Sequence, residues 1–255
     1  MLQITIRNNL KKFCIIILLL LFSVQAFGFD QTLSDRIVSI SAVFLNKPYQ
    51  LDPLGEGAQG KFSQKPLYRF DRFDCQTYVE TVLALALSNS DSNTPAFRQK
   101  LSEIRYQNGK PDFFTRNHFP SADWIPNNIQ KKYIKFSPIN NQKISMSINK
   151  QQWFEDQTDI QNPNIPNKLR VVLPYISVDQ LPDVINKIPN GAIIMIVKPS
   201  FLLISHMGFA IWKNNILYLR SASSLYNKVI DLPLLSYIEN QSRFGVKGIV
   251  VLIPV

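Results

Sequence analysis

Cysteine and histidine are both scarce in this 255-residue chain, with two of each. Two cysteines exclude a disulfide-stapled scaffold. No two of these residues stand at ligand spacing, so a zinc site made from Cys75, His118, His206 and an acid has no sequence support. The pattern calls for no metal and no other cofactor. Long apolar runs are lacking as well: the run Phe13 to Phe22 falls short of the ~20 residues that a membrane span needs. No internal repeat occurs. Lysine and arginine outnumber the acids 28 to 18, but they are scattered, which speaks for solvated surface rather than a nucleic-acid-binding face.

What is present begins with an export pattern. Arg7, Lys11 and Lys12 precede the apolar run, and Ser23-Val24-Gln25-Ala26-Phe27-Gly28 follows it. A basic region, a short apolar core and a small-residue end make up a secretory signal peptide. Residues 1–28 are therefore expected to be the signal and 29–255 a single domain, periplasmic or secreted. If the segment is not cleaved, it is the chain's one attachment to a membrane. Cys14 leaves with the signal, and Cys75 remains as a lone thiol. Loss of three positive charges turns the formal +10 into +7, which suits anionic surroundings such as wall polymers.

The lone thiol sits in Phe70-Asp71-Arg72-Phe73-Asp74-Cys75-Gln76-Thr77-Tyr78-Val79-Glu80. Asp74 is a good helix cap. Tyr78, Val79, Val82, Leu83 and Ala86 recur at helical spacing, which predicts a buried helix from Cys75 to about Ser88. The helix dipole favours a thiolate at that position, but by only ~0.3–1 kcal/mol, less than one pKa unit. An imidazole partner is needed if the sulfur is to ionise.

The rest of the chain reads as helices first and strands later, an α+β pattern. Helices are predicted over Thr32–Phe44 and from Pro95, with Phe97, Leu101 and Ile104 on one face. Residues 127–170 are polar, with short strand-like (Lys143–Ile148) and helix-like (Lys150–Phe154) pieces, and are expected to form a surface excursion. Ala192–Val197 and Phe201–Trp212 read as strands, with His206, Gly208 and Ala210 on one face of the second. Those small neighbours are expected to leave room for a substrate or for the cysteine helix. Lys213-Asn214-Asn215 is a hairpin turn, Asp231 is expected to cap a short helix, and Val246–Ile253 is the final strand.

Of the two histidines, His206 on its strand is the better partner for Cys75. A Lys213-Asn214 turn places Ser221 opposite His206; an Asn214-Asn215 turn places Ser223 there. Either way the third group is a hydroxyl. Arg116, His118, Asp123 and Trp124 form a second polar and aromatic cluster, suited to binding a carboxylate or sugar by an Arg fork and Trp stacking.

Phe73-Asp74-Cys75-Gln76-Thr77-Tyr78-Val79-Glu80-Thr81 resembles the signature of the N-acetylmuramoyl-L-alanine amidase-like family, first delineated as an uncharacterised domain. Ser205-His206-Met207-Gly208-Phe209 is similar to its second block, Arg116-Asn117-His118-Phe119 with Asp123-Trp124-Ile125 to a third, and Pro48-Tyr49 and Leu54-Gly55-Glu56-Gly57 also fit. The family looks like a branch of the NlpC-type cell-wall cysteine amidases and peptidases. The resemblance implies a papain-like α+β fold, helices on an antiparallel sheet and a nucleophile at a helix start. It implies Cys75 as nucleophile and His206 as base, acting on amide bonds of peptidoglycan or muropeptide fragments. The family's histidine in an H-A-S-S run is matched here by Ser221-Ala222-Ser223-Ser224, which makes serine the expected third catalytic residue. Tyr49 joins Arg116, His118, Asp123 and Trp124 as an expected substrate contact. The alternative is a non-catalytic or weakly active wall-binding protein on the same fold.

Overall fold

The computed structural model describes residues 31–200 and 202–255; the signal segment 1–28 lies outside them. Three helices open the described part: α1 (Leu33–Val43), α2 (Cys75–Leu87) and α3 (Pro95–Arg105). Each begins on a capping side chain. Thr32 and Asp35 bond reciprocally at the start of α1, Asp74 and Thr77 do the same for α2, and Thr94 caps α3. Helix α2 is buried from Thr77 to Ala86 without a solvent face, because α1, α3 and the sheet surround it. Its one internal charge, Glu80, is paired with Arg105 of α3 at 3.2 Å, and both side chains are 2 % exposed.

A wide π-type turn (Pro120–Trp124) and α4 (Ile125–Gln130) lead to β1 (Ile134–Phe136), β2 (Gln142–Ile148) and α5 (Lys150–Thr158). The strands β3 (Leu169–Ser177), β4 (Ile193–Val197), β5 (Ile204–Lys213), β6 (Ile216–Ser223), β7 (Lys228–Pro233) and β8 (Gly248–Pro254) follow. Short α6 (Leu181–Val184) precedes β4, and α7 (Leu234–Ser242) connects β7 to β8. The strands form one sheet in the order β2-β3-β8-β4-β5-β6-β7, with β1 also on β8, and every pairing is antiparallel. The architecture is α+β. Within the polar stretch 127–170 the expected strand-like and helix-like pieces are β2 and α5; α4 and β1 add to them, and Phe154 of α5 is buried in the core.

The two faces of β5 serve different layers. Met207, Phe209 and Ile211 share a core with α2, where the Phe209 ring meets Tyr78 edge-on at 5.8 Å. Ala210 belongs to the second core with Leu219 of β6 and Leu234 and Ile238 of α7. The face with the small residues therefore receives α7, and the cysteine helix packs on the opposite one, which corrects the expectation above. Gly208 is small because β6 crowds it.

The hairpin turn is Asn214-Asn215, both at positive φ, with Lys213 paired to Ile216 and Phe209 to Arg220. That turn matches the right-handed twist of its strands. Continued along the strands, this register sets Gly208 against Ser221. Asp231 does not cap a helix: it lies in β7 opposite Arg220 and binds its guanidinium at 2.7 and 2.9 Å, while α7 starts three residues later behind Pro233.

A methyl group on Gly208 would sit 2.4 Å from the Arg220 carbonyl oxygen and 2.8 Å from Ser221 Cβ. Gly208→Ala is therefore expected to cost about 1–3 kcal/mol and to lower the thermal unfolding midpoint by several degrees. An unchanged midpoint in circular dichroism would contradict this register.

Candidate active site

Cys75 is the first residue of α2, and the cap before it is more than a local stop. Asp74 Oδ1 accepts from the Thr77 N–H at 2.7 Å and the Thr77 hydroxyl at 2.8 Å, while Oδ2 accepts from the Asp52 N–H at 3.0 Å. Phe73, one residue earlier, bonds through its backbone to Pro48 and Gln50. The segment carrying Tyr49 is thereby tied beside the start of α2.

His206 arrives from the sheet. The pairing of β4 with β5 slips by one residue just before it: Ile196 faces His206, but Val197 faces Ile204, so Ser205 is the extra residue of a bulge. Bulges bend a strand and re-aim its side chains. His206 and Cys75 line one cavity of about 250 Å³, together with Tyr49, Leu51, Gln76 and His118. The ring of His206 bonds Ser221 Oγ at 2.8 Å through Nε2. Ser221 is thus the partner although the turn is the one expected to favour Ser223. It stands diagonal to His206, and a ring reaches a diagonal neighbour across a sheet.

Cys75 and His206 are each partly withdrawn from solvent, and this governs charge. Burial pushes the Cys75 thiol up to about 12; Asp74 adds to the rise, and the backbone N–H of Met207 works against it. Burial alone pulls His206 down to about 4. Tyr49 rises to about 12, first through burial and then through Cys75 and Asp74. At neutral pH the resting site holds a thiol and a neutral imidazole. Among the described residues, no hydrogen bond joins the two. Desolvation disfavours both charged forms and so works against the ionised sulfur expected from the helix dipole and an imidazole.

Beyond Gln76 lies a smaller, polar cavity of about 110 Å³. Arg116 and His118 both face it, with Asp52, Glu80 and Arg105. Arg116 donates to the Leu54 carbonyl at 2.9 Å and to His118 Nδ1 at 3.3 Å, and stands 3.5 Å from the carboxylates of Asp52 and Glu56. His118 Nε2 is 2.7 Å from the Phe113 carbonyl. With Nδ1 accepting, the Nε2 position carries the proton, so neither nitrogen has a lone pair left for a metal. Burial and Arg116 lower its pKa well below the usual value.

A model of the AmiA-like, N-acetylmuramoyl-L-alanine amidase-like family matches residues 39–247. The chain belongs to this family. Protein LPG0564 of Legionella pneumophila, a DUF1460 family structure, is 34 % identical with a TM-score of 0.79, over 89 % of this chain and 90 % of that one. An N-acetylmuramoyl-L-alanine amidase from Bacteroides uniformis is 26 % identical with a TM-score of 0.73, over 88 % and 99 %. A candidate xylanase from Bacteroides fragilis is 28 % identical with a TM-score of 0.69, over 84 % and 99 %. Comparison with curated proteins gives no match. Membership points to a hydrolase acting on amide bonds of peptidoglycan.

Within this amidase-like chain the expected site residues divide. Cys75, His206, Tyr49 and His118 share the larger cavity, Arg116 faces the smaller one, and Ser221 stands behind His206. Trp124 is 0 % exposed and Asp123 is ion-paired to Lys150 within the core, so neither lines the two cavities above, and their expected role in substrate contact is revised. Sequence reasoning overlooked Asp52, Glu80 and Arg105 as walls of the polar cavity. Gln76 and Glu80 could have been paired from their i,i+4 spacing on α2, since Gln76 Nε2 donates to Glu80 Oε1 at 3.0 Å. Nothing near Asp52 or Arg105 signals their approach.

A histidine whose folded pKa is depressed supports the fold above its unfolded value near ~6.5, and that support is lost as pH falls toward the folded value. For His206 the window runs from there down to about 4. The thermal midpoint of the wild type, measured relative to His206→Gln, is expected to decline across that window. A pH-independent difference would contradict a buried neutral ring.

Proposed function

We propose that the protein is an exported cysteine amidase with a papain-like, NlpC-type catalytic domain, hydrolysing amide bonds of peptidoglycan peptides. One observation carries the reading: Cys75, at a helix start, and His206, at a strand end, open into the same cavity. The amide carbonyl enters between them. As the sulfur attacks the carbonyl carbon, its proton passes to His206 Nδ1, while Nε2–H donates to Ser221. The Cys75 backbone N–H, at the helix terminus, receives the oxyanion. The imidazolium then protonates the departing nitrogen, the C–N bond breaks, and a thioester remains. The neutral ring next takes a proton from water, whose oxygen attacks the thioester, and the thiol returns with the carboxylic acid as product.

This sequence needs no ion pair at rest. Desolvation of the two groups disfavours the thiolate–imidazolium state until the carbonyl arrives to share the charge. Tyr49, Arg116 and His118 are assigned to substrate contact around the two cavities. Residues 1–28 direct export, so the protein is periplasmic or secreted, and the basic mature chain meets an anionic wall. Glycoside cleavage fits less well: it requires two working carboxyls, and the carboxyl of the larger cavity, Asp74, is committed to two cap bonds from Thr77 and one bond from the Asp52 backbone. A second reading, a wall-binding protein with little turnover, draws support from Ser221, because a hydroxyl stabilises an imidazolium less than a carboxylate does.

Mass spectrometry of defined muropeptides after incubation separates the two. Cys75→Ala is expected to abolish amide cleavage and keep the wild-type unfolding midpoint, whereas Ser221→Ala loses about tenfold in kcat, equivalent to one hydrogen bond of ~1.4 kcal/mol. Turnover undiminished in Cys75→Ala removes the thiol mechanism, and wild-type protein that retains but never cuts muropeptides is the binder.

A further inference from the structure

Tyr237 was not anticipated at this site. It lies on α7, between Leu234, 0 % exposed, and Ile238, 1 % exposed, which anchor the helix on the sheet. Its ring centre is 6.2 Å from that of His206, with the planes tilted by 46°. This is within the range of an attractive aromatic contact. The ring packs against the second core, on the sheet face opposite α2.

We propose that Tyr237 is a positioning residue for His206, clamping the imidazole from the α7 side while Ser221 holds its Nε2. The inference rests on the amidase reading for its catalytic consequence but not for its geometry. A single neutral hydrogen bond leaves a ring free to rock about its axis; a second aromatic plane removes that freedom and excludes water from the same side. The groups around the ring are Cys75 from the start of α2, Tyr49 from the loop before it, Ser221 from β6 and Tyr237 from α7, with His118 in the same cavity. Asp74 lines the cavity but is turned into its cap. Burial alone accounts for the lowered pKa of His206, so what covers the ring sets its basicity. The Tyr237 phenol is itself pushed up to about 12, by burial first and then by Cys75, and it remains neutral beside the sulfur.

The test uses Tyr237→Phe and Tyr237→Leu with two readouts. One is kcat and KM on a defined muropeptide; the other is the titration of His206 by ring-nitrogen NMR, which needs no substrate. Tyr237→Leu is expected to lower kcat about tenfold, to leave KM within twofold, and to move the His206 midpoint upward by a unit or more as water enters. Tyr237→Phe keeps the ring and is expected to match the wild type in both. Tyr237→Met carries the same expectation as Tyr237→Leu should the latter not fold. An unmoved His206 midpoint in the ringless variants overturns the proposal, as does a Tyr237→Phe that fails like Tyr237→Leu. If the wild type cuts no muropeptide, the amidase reading falls, and the NMR titration still decides the role of Tyr237.

Discussion

One carboxylate holds the working end of this protein together. Asp74 accepts from the first turn of α2 and from the Asp52 backbone at once, so a helix terminus and a distant loop share one anion. Burial pushes its pKa up, against the pull of the Thr77 bonds. A buried anion of this kind is sustained only by complete hydrogen bonding. Cys75 is the next residue, Tyr49 lies on the strand-like segment beside Phe73, and Gln76 starts the wall of the polar cavity. Position along the chain thus becomes position in space with little slack.

The second anchor is the sheet. Its central strands are covered on both faces, α2 on one and α7 on the other, so the backbone of β5 that carries His206 is held by two cores. Only at the bulge around Ser205 does β5 leave its regular pairing, and there the ring meets the cavity. Rigidity at both ends and neutrality between them characterise the site. Partial burial makes any charge that forms during reaction sensitive to the dipoles nearby, which gives weight to small groups such as a helix N–H and a serine hydroxyl.

The chain order of helices and strands was legible because periodicity and caps agree locally: Asp74 before α2, Thr94-Pro95 before α3, alternation through β5. Cys75, His206 and a serine hydroxyl were legible for the same reason, together with their family signature. The two sides of β5 were misjudged because small residues signal close approach without naming the element that approaches. Asp231 read as a helix cap since Pro233 follows it; its true partner, Arg220, becomes apparent only when β6 and β7 pair. Trp124 looked like a stacking platform because aromatic residues near charges suit both a core and a cleft, and burial alone distinguishes them. Tyr237 and Arg105 carried no local signal at all, being recruited from helices whose own patterns are fully explained by packing.

The Asn214-Asn215 turn carries more weight than its exposed position suggests. Its two residues at positive φ determine which β6 side chains stand beside β5, and hence which hydroxyl meets the imidazole. Hairpin tips usually drift freely in length over evolution. Here an inserted or deleted residue would slide β6 along β5 and carry Ser221 away from the imidazole, so the length of a surface turn sets a contact made at the far end of the same strands.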